Sequence, residues 1–154
     1  MTWFARGDGH FGGPREGGAA PHAIPDRAPD VSLDIATRPD QALLYRLSGD
    51  RNPLHADVDV ARRAGFDRPI LHGLCTYGLC CRALIAAWAD HDPLRLVSQS
   101  VRFSAPVMPG DVVTVDMWRD GAIVSFEARV KARGVTVIRN GRAVMRGVDW
   151  AISG

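Results

Sequence analysis

One segment of this sequence, residues 73–89, constrains the fold more than any other. Apolar side chains recur in it at spacings of three and four residues, which predicts an α-helix. The apolar stripe consists of Leu74, Tyr77, Cys81, Leu84 and Trp88. Small or apolar residues fill the other sides, and Arg82 is the only charged residue, so the helix is apolar nearly all round. We expect such a helix to be wrapped by other parts of the protein.

The sequence after this helix is dominated by predicted strands. They cover residues 95–107, 111–119, 122–131, 135–139 and 142–152. The dipeptides Asp120-Gly121 and Asn140-Gly141 separate neighbouring strands and favour two-residue hairpin turns. An antiparallel meander that curls around one long buried helix is the α+β arrangement known as the hotdog fold. Because such a sheet leaves an exposed edge, we also expect the chain to dimerise.

The sequence before the helix predicts a strand and two short helices. Residues 31–36 alternate apolar and polar side chains, as in a strand with one buried face. Thr37 is expected to cap a helix of roughly three turns. That helix ends at Gly49, which can adopt the left-handed conformation. Residues 50–56 are predicted to form a loop, and residues 57–64 a second short helix.

The length of 154 residues suits one domain with one hydrophobic core. Residues 1–30 contain many glycines and prolines and little apolar periodicity, which is typical of an extended arm or linker. We therefore predict an arm over residues 1–30 and the hotdog domain over residues 31–154.

Charge and cysteine content narrow the possible partners and the location. The net charge is only +2, and no Lys/Arg run interleaved with aromatic residues indicates nucleic-acid binding. No stretch approaches the ~20 apolar residues that a membrane span needs. The cysteines, Cys75, Cys80 and Cys81, lack the spacing of a zinc site or of an ordinary disulfide. These features predict a cytoplasmic protein with reduced thiols and no metal, nucleic-acid or membrane partner.

A carboxylate and an imidazole lie five residues apart in the loop after the predicted helix. Asp50 and His55 flank Pro53, which stiffens the loop and lowers the entropic cost of bringing the two side chains together. A water held between them would have an acceptor on one side and an acid/base group on the other. Asn52 could orient the pair through its amide. Taken alone, the same residues also fit a structural interpretation in which they only cap turns.

Gly73 occupies the N-terminus of the predicted buried helix. Backbone N–H groups there lack partners, and the helix dipole is positive. Since glycine has no side chain, a ligand carbonyl could approach this N–H, which would stabilise a thioester oxygen that gains enolate character. A tight turn with nothing bound is the alternative. We expect the neighbouring His72 to have a packing or supporting role.

Together these segments resemble a known family. They are similar to the hydratase 2 signature of the MaoC-like family of (R)-specific enoyl-CoA hydratases and 3-hydroxyacyl-thioester dehydratases. The signature is matched by residues 45–57, 64–66 and 69–73. The similarity continues through residues 101–103, 106–111 and 140–142 and covers most of residues 25–150.

The resemblance implies roles for four residues. Asp50 and His55 correspond to the motif residues that hold and activate a water, and Asn52 to the residue that supports them. Gly73 corresponds to the glycine whose N–H binds the thioester carbonyl. The family also implies syn hydration of a trans-2-enoyl-CoA to a (3R)-hydroxyacyl-CoA, or the reverse dehydration. It uses no metal or redox cofactor, and the CoA thioester is the substrate.

The rest of the substrate site is less constrained by sequence. CoA phosphates need cations, and we favour Arg102 because it lies on a strand expected to border the substrate tunnel. The other candidates are Arg119, Arg129, Arg133, Arg139 and Arg142. The later part of the long helix, including Leu79 and Cys81, is expected to line the acyl pocket.

The arm bears on how the chain assembles. Residues 6–13 and 25–30 resemble the crossover that precedes the catalytic second repeat of double-hotdog hydratases, and no first repeat precedes them here. Three explanations compete. The chain forms a homodimer, it forms a heterodimer with a separate hotdog subunit that is non-catalytic, or it is a truncated chain that folds poorly.

Two other functions stay open. The chain could be a scaffolding or catalytic subunit that is inactive without a partner chain, because a fold does not determine a function. The intact pair of Asp50 and His55 argues against an idle subunit. A thioesterase would need a general-base carboxylate on the long helix, and residues 73–89 contain no Asp or Glu.

Overall fold

The computed structural model of the chain describes residues 20–146 together with Gly12. Its strands are β1 (Val31–Ala36), β2 (Leu96–Phe103), β3 (Val112–Asp120), β4 (Ile123–Val130) and β5 (Val135–Met145). Its α-helices are α1 (Gln41–Tyr45), α2 (Val58–Arg63) and α3 (Gly73–Trp88). Short 3-10 turns are formed by Arg46–Ser48, Pro53–His55, Pro93–Arg95 and Lys131–Arg133.

The strands form one antiparallel sheet in the order β1-β3-β4-β5-β2, and the sheet packs against α3. Alternate side chains of β3 and β4, such as Val115 and Phe126, are fully buried in the core between sheet and helix. A five-stranded antiparallel sheet with a long helix against one face confirms the predicted α+β hotdog architecture.

The described residues cover α3 on one side only. Cys80 and Leu84 are fully buried towards the sheet. Leu74, Gly78 and Arg82 are spaced four residues apart and therefore form one row along the helix, and all three are exposed. The predicted helix is confirmed, but the expected wrapping is partial. Within the described residues, no helix has the length and apolar character needed to cross a bilayer.

The described end of the predicted arm, residues 20–30, lies along the outer face of the sheet. Trp118 donates its indole N–H to Arg27 O at 2.8 Å, and the side chains of His22 and Ser125 hydrogen-bond at 2.8 Å. Residues 1–19 other than Gly12, and residues 147–154, lie outside the described part of the chain. Most of the predicted arm and the end of the last predicted strand fall on them.

The first helix is shorter than predicted, and its cap differs. The N-cap is Asp40 rather than Thr37. The Thr37 hydroxyl donates to Asp111 O at 2.8 Å and accepts from Gly110 N at 2.9 Å, so it ties β1 to the loop before β3 instead. The segment ends at Gly49 with φ +116°, in the left-handed conformation that was predicted.

The prediction of a hairpin turn at Asn140-Gly141 is wrong. β5 continues through this dipeptide with a β-bulge, because Phe126 pairs with Gly141 while Ala128 pairs with Ile138. The extra residue is absorbed where Asn140 adopts φ +53°. A Cβ on Gly141 would lie 2.4 Å from Phe126 O, so the close approach of β4 requires glycine there.

The hairpin between β3 and β4 is confirmed, although its turn is displaced by one residue. Asp120 pairs with Ile123, so the turn residues are Gly121 and Ala122. The strand predicted over residues 95–107 ends earlier, at Phe103.

Candidate active site

Local hydrogen bonds shape the loop that carries the predicted catalytic residues. Asn52 caps the 3-10 turn that ends at His55, because its Oδ1 accepts from Leu54 N at 3.0 Å. Asp50 Oδ1 accepts from the backbone N–H of Asn52 at 3.2 Å. Pro53 fixes φ at the first position of the turn. The chain therefore reverses within a few residues and returns His55 towards Asp50, while the Asn52 side chain bonds to the loop backbone.

The segment before α3 holds His55 in one orientation. His55 Nδ1 lies 2.8 Å from Ile70 O. A carbonyl oxygen can only accept, so Nδ1 carries the hydrogen of the neutral ring and Nε2 keeps a free lone pair. The side chain is 8% exposed and borders a cavity. The ring is therefore arranged to accept a proton at Nε2.

Asp50, His55 and His72 converge. One carboxylate oxygen or ring nitrogen from each lies within 4.8 Å of the others, a gap that one water molecule can bridge. The two histidines are buried and Asp50 is exposed. These distances would also admit a metal ion, but one nitrogen of each ring is already bonded to a backbone carbonyl. The absence of a metal stays a prediction.

His72 has a larger part in the site than the sequence interpretation gave it. Its ring stacks on that of His55, with centroids 3.7 Å apart and an interplanar angle of 25°. Its Nε2 lies 3.1 Å from Asp50 O, and the Tyr45 ring is 4.8 Å away. Burial lowers the pKa of His72 below its ordinary value. The sequence signal for this residue was its place beside Gly73 in the segment similar to the family signature.

A cavity of about 290 Å³ opens between His55 and the N-terminus of α3. Its side-chain lining includes His55, Phe66, Gly73, Thr76, Phe103 and Val107. Gly73 is the first residue of α3, and the N-cap His72 contributes no side-chain hydrogen bond to this end of the helix. A Cβ on Gly73 would already lie 3.4 Å from the Phe103 ring. Because first-turn N–H groups lack intrahelical partners, this end of the cavity suits an oxygen that gains negative charge.

Two of the predicted pocket residues lie elsewhere on α3. Leu79 packs against the core, and Cys81 is partly exposed; neither belongs to the cavity lining. Thr76 takes part instead, since it is buried and lies three residues after Gly73 on the cavity wall. The spacing of three places both residues on one face of the helix, a signal that sequence analysis did not use.

Arg102 lies at the end of β2, on the wall of an open groove between that strand and α3. The groove has a volume of about 680 Å³ and is lined by Leu74, Tyr77 and residues 99–103. Arg102 also borders a shallow depression of about 420 Å³ that includes Arg142. It faces Arg139 across the strand pair, where two like charges repel each other.

The other candidate arginines divide into two groups. Arg129 pairs with Asp116 at 2.6 Å, Arg133 pairs with Asp111 at 2.8 Å, and the Arg119 guanidinium lies 5.3 Å from the Trp88 ring centroid. Within residues 20–146, no ion pair joins Arg102, Arg139 or Arg142 to an acidic side chain. Within the described residues, these three guanidinium groups thus differ from those of Arg129 and Arg133, which acidic side chains neutralise. Arg119 also lacks an acidic partner there, but its guanidinium lies against the Trp88 ring.

Comparison with known proteins gives a consistent family. Residues 21–141 match the family model described as MaoC like domain. The chain is 45% identical over 146 residues to the enoyl-CoA hydratase ChsH3 of Mycobacterium tuberculosis, covering 95% of this chain and 49% of that protein. It is 50% identical over 119 residues to 3-hydroxyacyl-thioester dehydratase Y of the same organism, covering 77% of this chain and 41% of that protein.

A solved structure extends the comparison to the fold. The crystal structure of a MaoC-like dehydratase from Phytophthora capsici superposes with a TM-score of 0.86 at 40% identity. The superposition covers 93% of this chain and 49% of that one. The chain thus spans about half the length, or less, of these relatives.

Proposed function

Because the chain belongs to the MaoC-like domain family, we propose that it catalyses the (R)-specific hydration of a trans-2-enoyl-CoA to a (3R)-hydroxyacyl-CoA, or the reverse dehydration. The observation that carries this proposal is the convergence of Asp50 and His55 beside a cavity that ends at the N-terminus of α3. The names of the relatives, an enoyl-CoA hydratase and a 3-hydroxyacyl-thioester dehydratase, support the reaction class.

The proposed reaction begins with a water between Asp50 and His55. The Asp50 carboxylate accepts one hydrogen bond from this water and orients it. His55 Nε2 accepts the other, because its Nδ1 hydrogen is engaged by Ile70 O. As the water oxygen bonds to C3 of the enoyl group, its proton passes to Nε2, and the electrons of the double bond move towards the thioester.

The N-terminus of α3 stabilises the charge that develops. The Gly73 N–H donates to the thioester oxygen while it has enolate character, and the helix dipole adds to this effect. His55 then delivers its proton to C2, so that one water has added across the double bond and the histidine is neutral again. The addition of water is not a redox reaction, and we propose that it uses no cofactor. The CoA thioester is the substrate.

The CoA phosphates would bind to candidate arginines that have no acidic partner among residues 20–146. We keep Arg102 as a candidate and add Arg142, because both border the same depression next to β2. Phosphate oxygens are strong acceptors for guanidinium groups. Arg129 and Arg133 are less suitable, because each already pairs with a carboxylate.

A second hotdog subunit would cover the groove between α3 and β2. β2 is an edge strand of the sheet, so its outward backbone groups are available for pairing. Apolar side chains are exposed along this groove, among them Leu74 and Phe103. The subunit is either a second copy of this chain or a related hotdog chain. In the second case the chain is a subunit that is inactive alone, which is the second candidate function.

We also propose a cytoplasmic location. Cys75, Cys80 and Cys81 are free thiols, which is typical of proteins in a reducing compartment.

The proposed function is tested by mixing the purified chain with crotonyl-CoA and with a bulkier trans-2-enoyl-CoA. Loss of absorbance at the enoyl-thioester band measures turnover. We expect Asp50→Asn and His55→Ala each to lower turnover by at least ~10²-fold without lowering the melting temperature to the assay range. The product should be oxidised by a dehydrogenase specific for (3R)-hydroxyacyl-CoA and not by one specific for the (3S) isomer.

A matched control uses residues of the same types away from the cavity. Asp67→Asn and His91→Ala change exposed residues and should leave turnover unchanged. Full turnover in both catalytic variants would refute the assignment of the site. A folded wild-type chain that turns over neither substrate would instead favour a subunit that needs a different partner.

A further inference from the structure

We infer that His72 is a positioning residue for the catalytic pair: it supports the His55 ring by stacking and ties the backbone of Asp50 to the start of α3. This inference rests on the proposed hydration reaction and specifies how the loop is held in the geometry that the reaction needs.

Two neighbouring groups before α3 hold the two catalytic residues. Ile70 O accepts the hydrogen of His55 Nδ1 at 2.8 Å, and His72 Nε2 lies 3.1 Å from Asp50 O. The hydrogen bonds of the Asp50 carboxylate and of the Asn52 side chain to Asn52 N and Leu54 N stay within the loop. The contact from His72 therefore joins the exposed Asp50 to a helix that is packed on the sheet.

The stacking acts on the second catalytic residue. The ring centroids of His55 and His72 are 3.7 Å apart, so a rotation of the His55 ring would collide with His72. The His72 ring is itself held by the rings of Tyr45 and His55. The Tyr45 ring centroid lies 4.8 Å from that of His72, and His72 is only 1% exposed. One side chain thus restricts both the acid/base ring and the carboxylate loop.

The hydrogen bonds also fix the tautomer of the neutral His72 ring. Because Asp50 O can only accept, Nε2 carries the hydrogen, and Nδ1 of the neutral ring carries none. Nδ1 is buried and has no hydrogen-bond partner among the described residues. A proton there would leave a buried donor unsatisfied and would place a positive charge against the His55 ring, which must itself take up a proton.

Some groups around His72 lower its pKa, and others raise it. Burial and the neighbouring His55 and Arg46 lower the pKa of His72, whereas Asp50 raises it, and burial is the largest of these effects. The Tyr45 side chain also lies next to the ring. A neutral ring can orient the pair without competing for the proton that His55 transfers.

Two other roles for His72 make different predictions. A proton relay through His72 would add an ionisation to the pH dependence of kcat, and its removal would delete that ionisation. A purely structural role would change the stability of the protein and leave kcat of the folded enzyme unchanged. Positioning changes kcat and leaves the shape of the pH profile unchanged.

The kinetic test compares His72→Phe, which keeps a ring but loses the donor, with His72→Gln, which keeps a donor but loses the ring. We expect each to lower kcat by about 10- to 100-fold and to change KM by less than about threefold, because small displacements of reacting groups have large effects on rate. In the Asp50→Asn background, His72→Phe should cause little further loss. Leu84→Ala is the control for lowered stability, because Leu84 lies in the core and away from the cavity. The folded Leu84→Ala enzyme should keep the wild-type kcat at low temperature.

A second measurement does not depend on turnover. Long-range ¹H–¹⁵N spectra of the histidine rings should show neutral His72 with hydrogen on Nε2, and its pKa should lie below the ordinary value of 6.5. In the neutral His55 ring, the hydrogen should be on Nδ1. If the wild type lacks activity but shows these tautomers, the proposed function fails and the positioning geometry stands. A His72 that gains a proton near pH 6.5, an unchanged kcat in both folded variants, or a lost ionisation in the pH profile would overturn the inference.

Discussion

Helix α3 presents two unlike faces, although its sequence is apolar nearly all round. On the face towards the sheet, Leu84 is 0% exposed and Cys80 is fully buried. On the opposite face, Leu74 is 46% exposed, and Gly78 and Arg82 continue the same row. The only charged residue of the helix, Arg82, lies on the open face, so the two faces differ in charge as well as in what covers them.

This difference separates the part of the chain that stabilises the fold from the part that completes the site. The buried face contributes to folding in the single chain. The open face borders β2, whose Phe103 is both 47% exposed and part of the wall of the catalytic cavity. A subunit that covers the open face would therefore also close the cavity on that side. Assembly and activity should be coupled through this face.

The largest expected difference between the faces is one of stability. Leu84→Ala should lower the free energy of unfolding by about 2–5 kcal/mol, because it leaves a cavity in a packed core. Leu74→Ala should change it by less than about 0.5 kcal/mol in the monomer, because the side chain is half exposed. Urea unfolding of both variants at low protein concentration measures the contrast.

The same two variants should affect assembly in the opposite order. If the subunit that covers the open face is a second copy of this chain, Leu74→Ala should weaken self-association at high protein concentration. Folded Leu84→Ala protein should associate more strongly than the Leu74→Ala variant. Equal losses of unfolding free energy in the monomer would show that Leu74 is covered within the chain, and the comparison of the two faces would then be invalid.

Much of the fold could be predicted from the sequence because its periodic signals are strong. Period-two alternation identified β1, and the spacing of three and four identified α3. The failure at Asn140-Gly141 arose because this dipeptide suits both a hairpin turn and a bulge. The decision depends on β4 and β2, which flank β5 on both sides and need it to continue as one strand. Local sequence does not contain that information.

The site was predictable only in part, for a related reason. The spacing of Asp50 and His55 and the glycine at the helix start indicated which residues converge. The rest of the cavity depends on the rotation of α3 against the sheet, and a helix that is apolar all round does not encode its rotation in its periodicity. Leu79 and Cys81 were therefore predicted in the acyl pocket, whereas Thr76 and the sequence-distant Phe103 line the cavity beside Gly73.

A smaller effect is expected at Gly78, on the open face. This glycine lies in the middle of α3, and a Cβ built on it meets nothing within 4 Å. Gly78→Ala should therefore raise the free energy of unfolding of the monomer by about 0.5–1 kcal/mol, because glycine is unfavourable inside a helix. If a partner packs closely against this row, the same substitution should weaken the dimer. Light scattering after size exclusion measures the second effect.

A second substitution in the same row tests whether close packing explains a weaker dimer in the Gly78→Ala variant. Arg82→Lys keeps a long cation in the same exposed row and should leave the dimer unchanged, unless Arg82 contacts the partner directly. A Gly78→Ala variant with an unchanged dimer would show that the partner, if one binds, leaves this row uncovered.

The smallest expected effect concerns the buried N-terminal end of α3 and the dependence of stability on pH. Burial lowers the pKa of folded His72 below its ordinary value of 6.5. Between that value and the lowered one, the unfolded chain binds a proton at this residue and the folded chain does not, so stability falls as the pH falls.

His72→Gln should therefore show a shallower loss of melting temperature from pH 7.5 to pH 5.5 than the wild type. His22 contributes to the slope with the same sign, because burial also lowers its pKa, but it is present in both the wild type and the variant. Equal slopes of melting temperature against pH in the wild type and in His72→Gln would mean that the folded protein takes up a proton at His72 as readily as the unfolded chain. The buried N-terminal end of α3 would then tolerate a charge as well as the exposed face of the helix does.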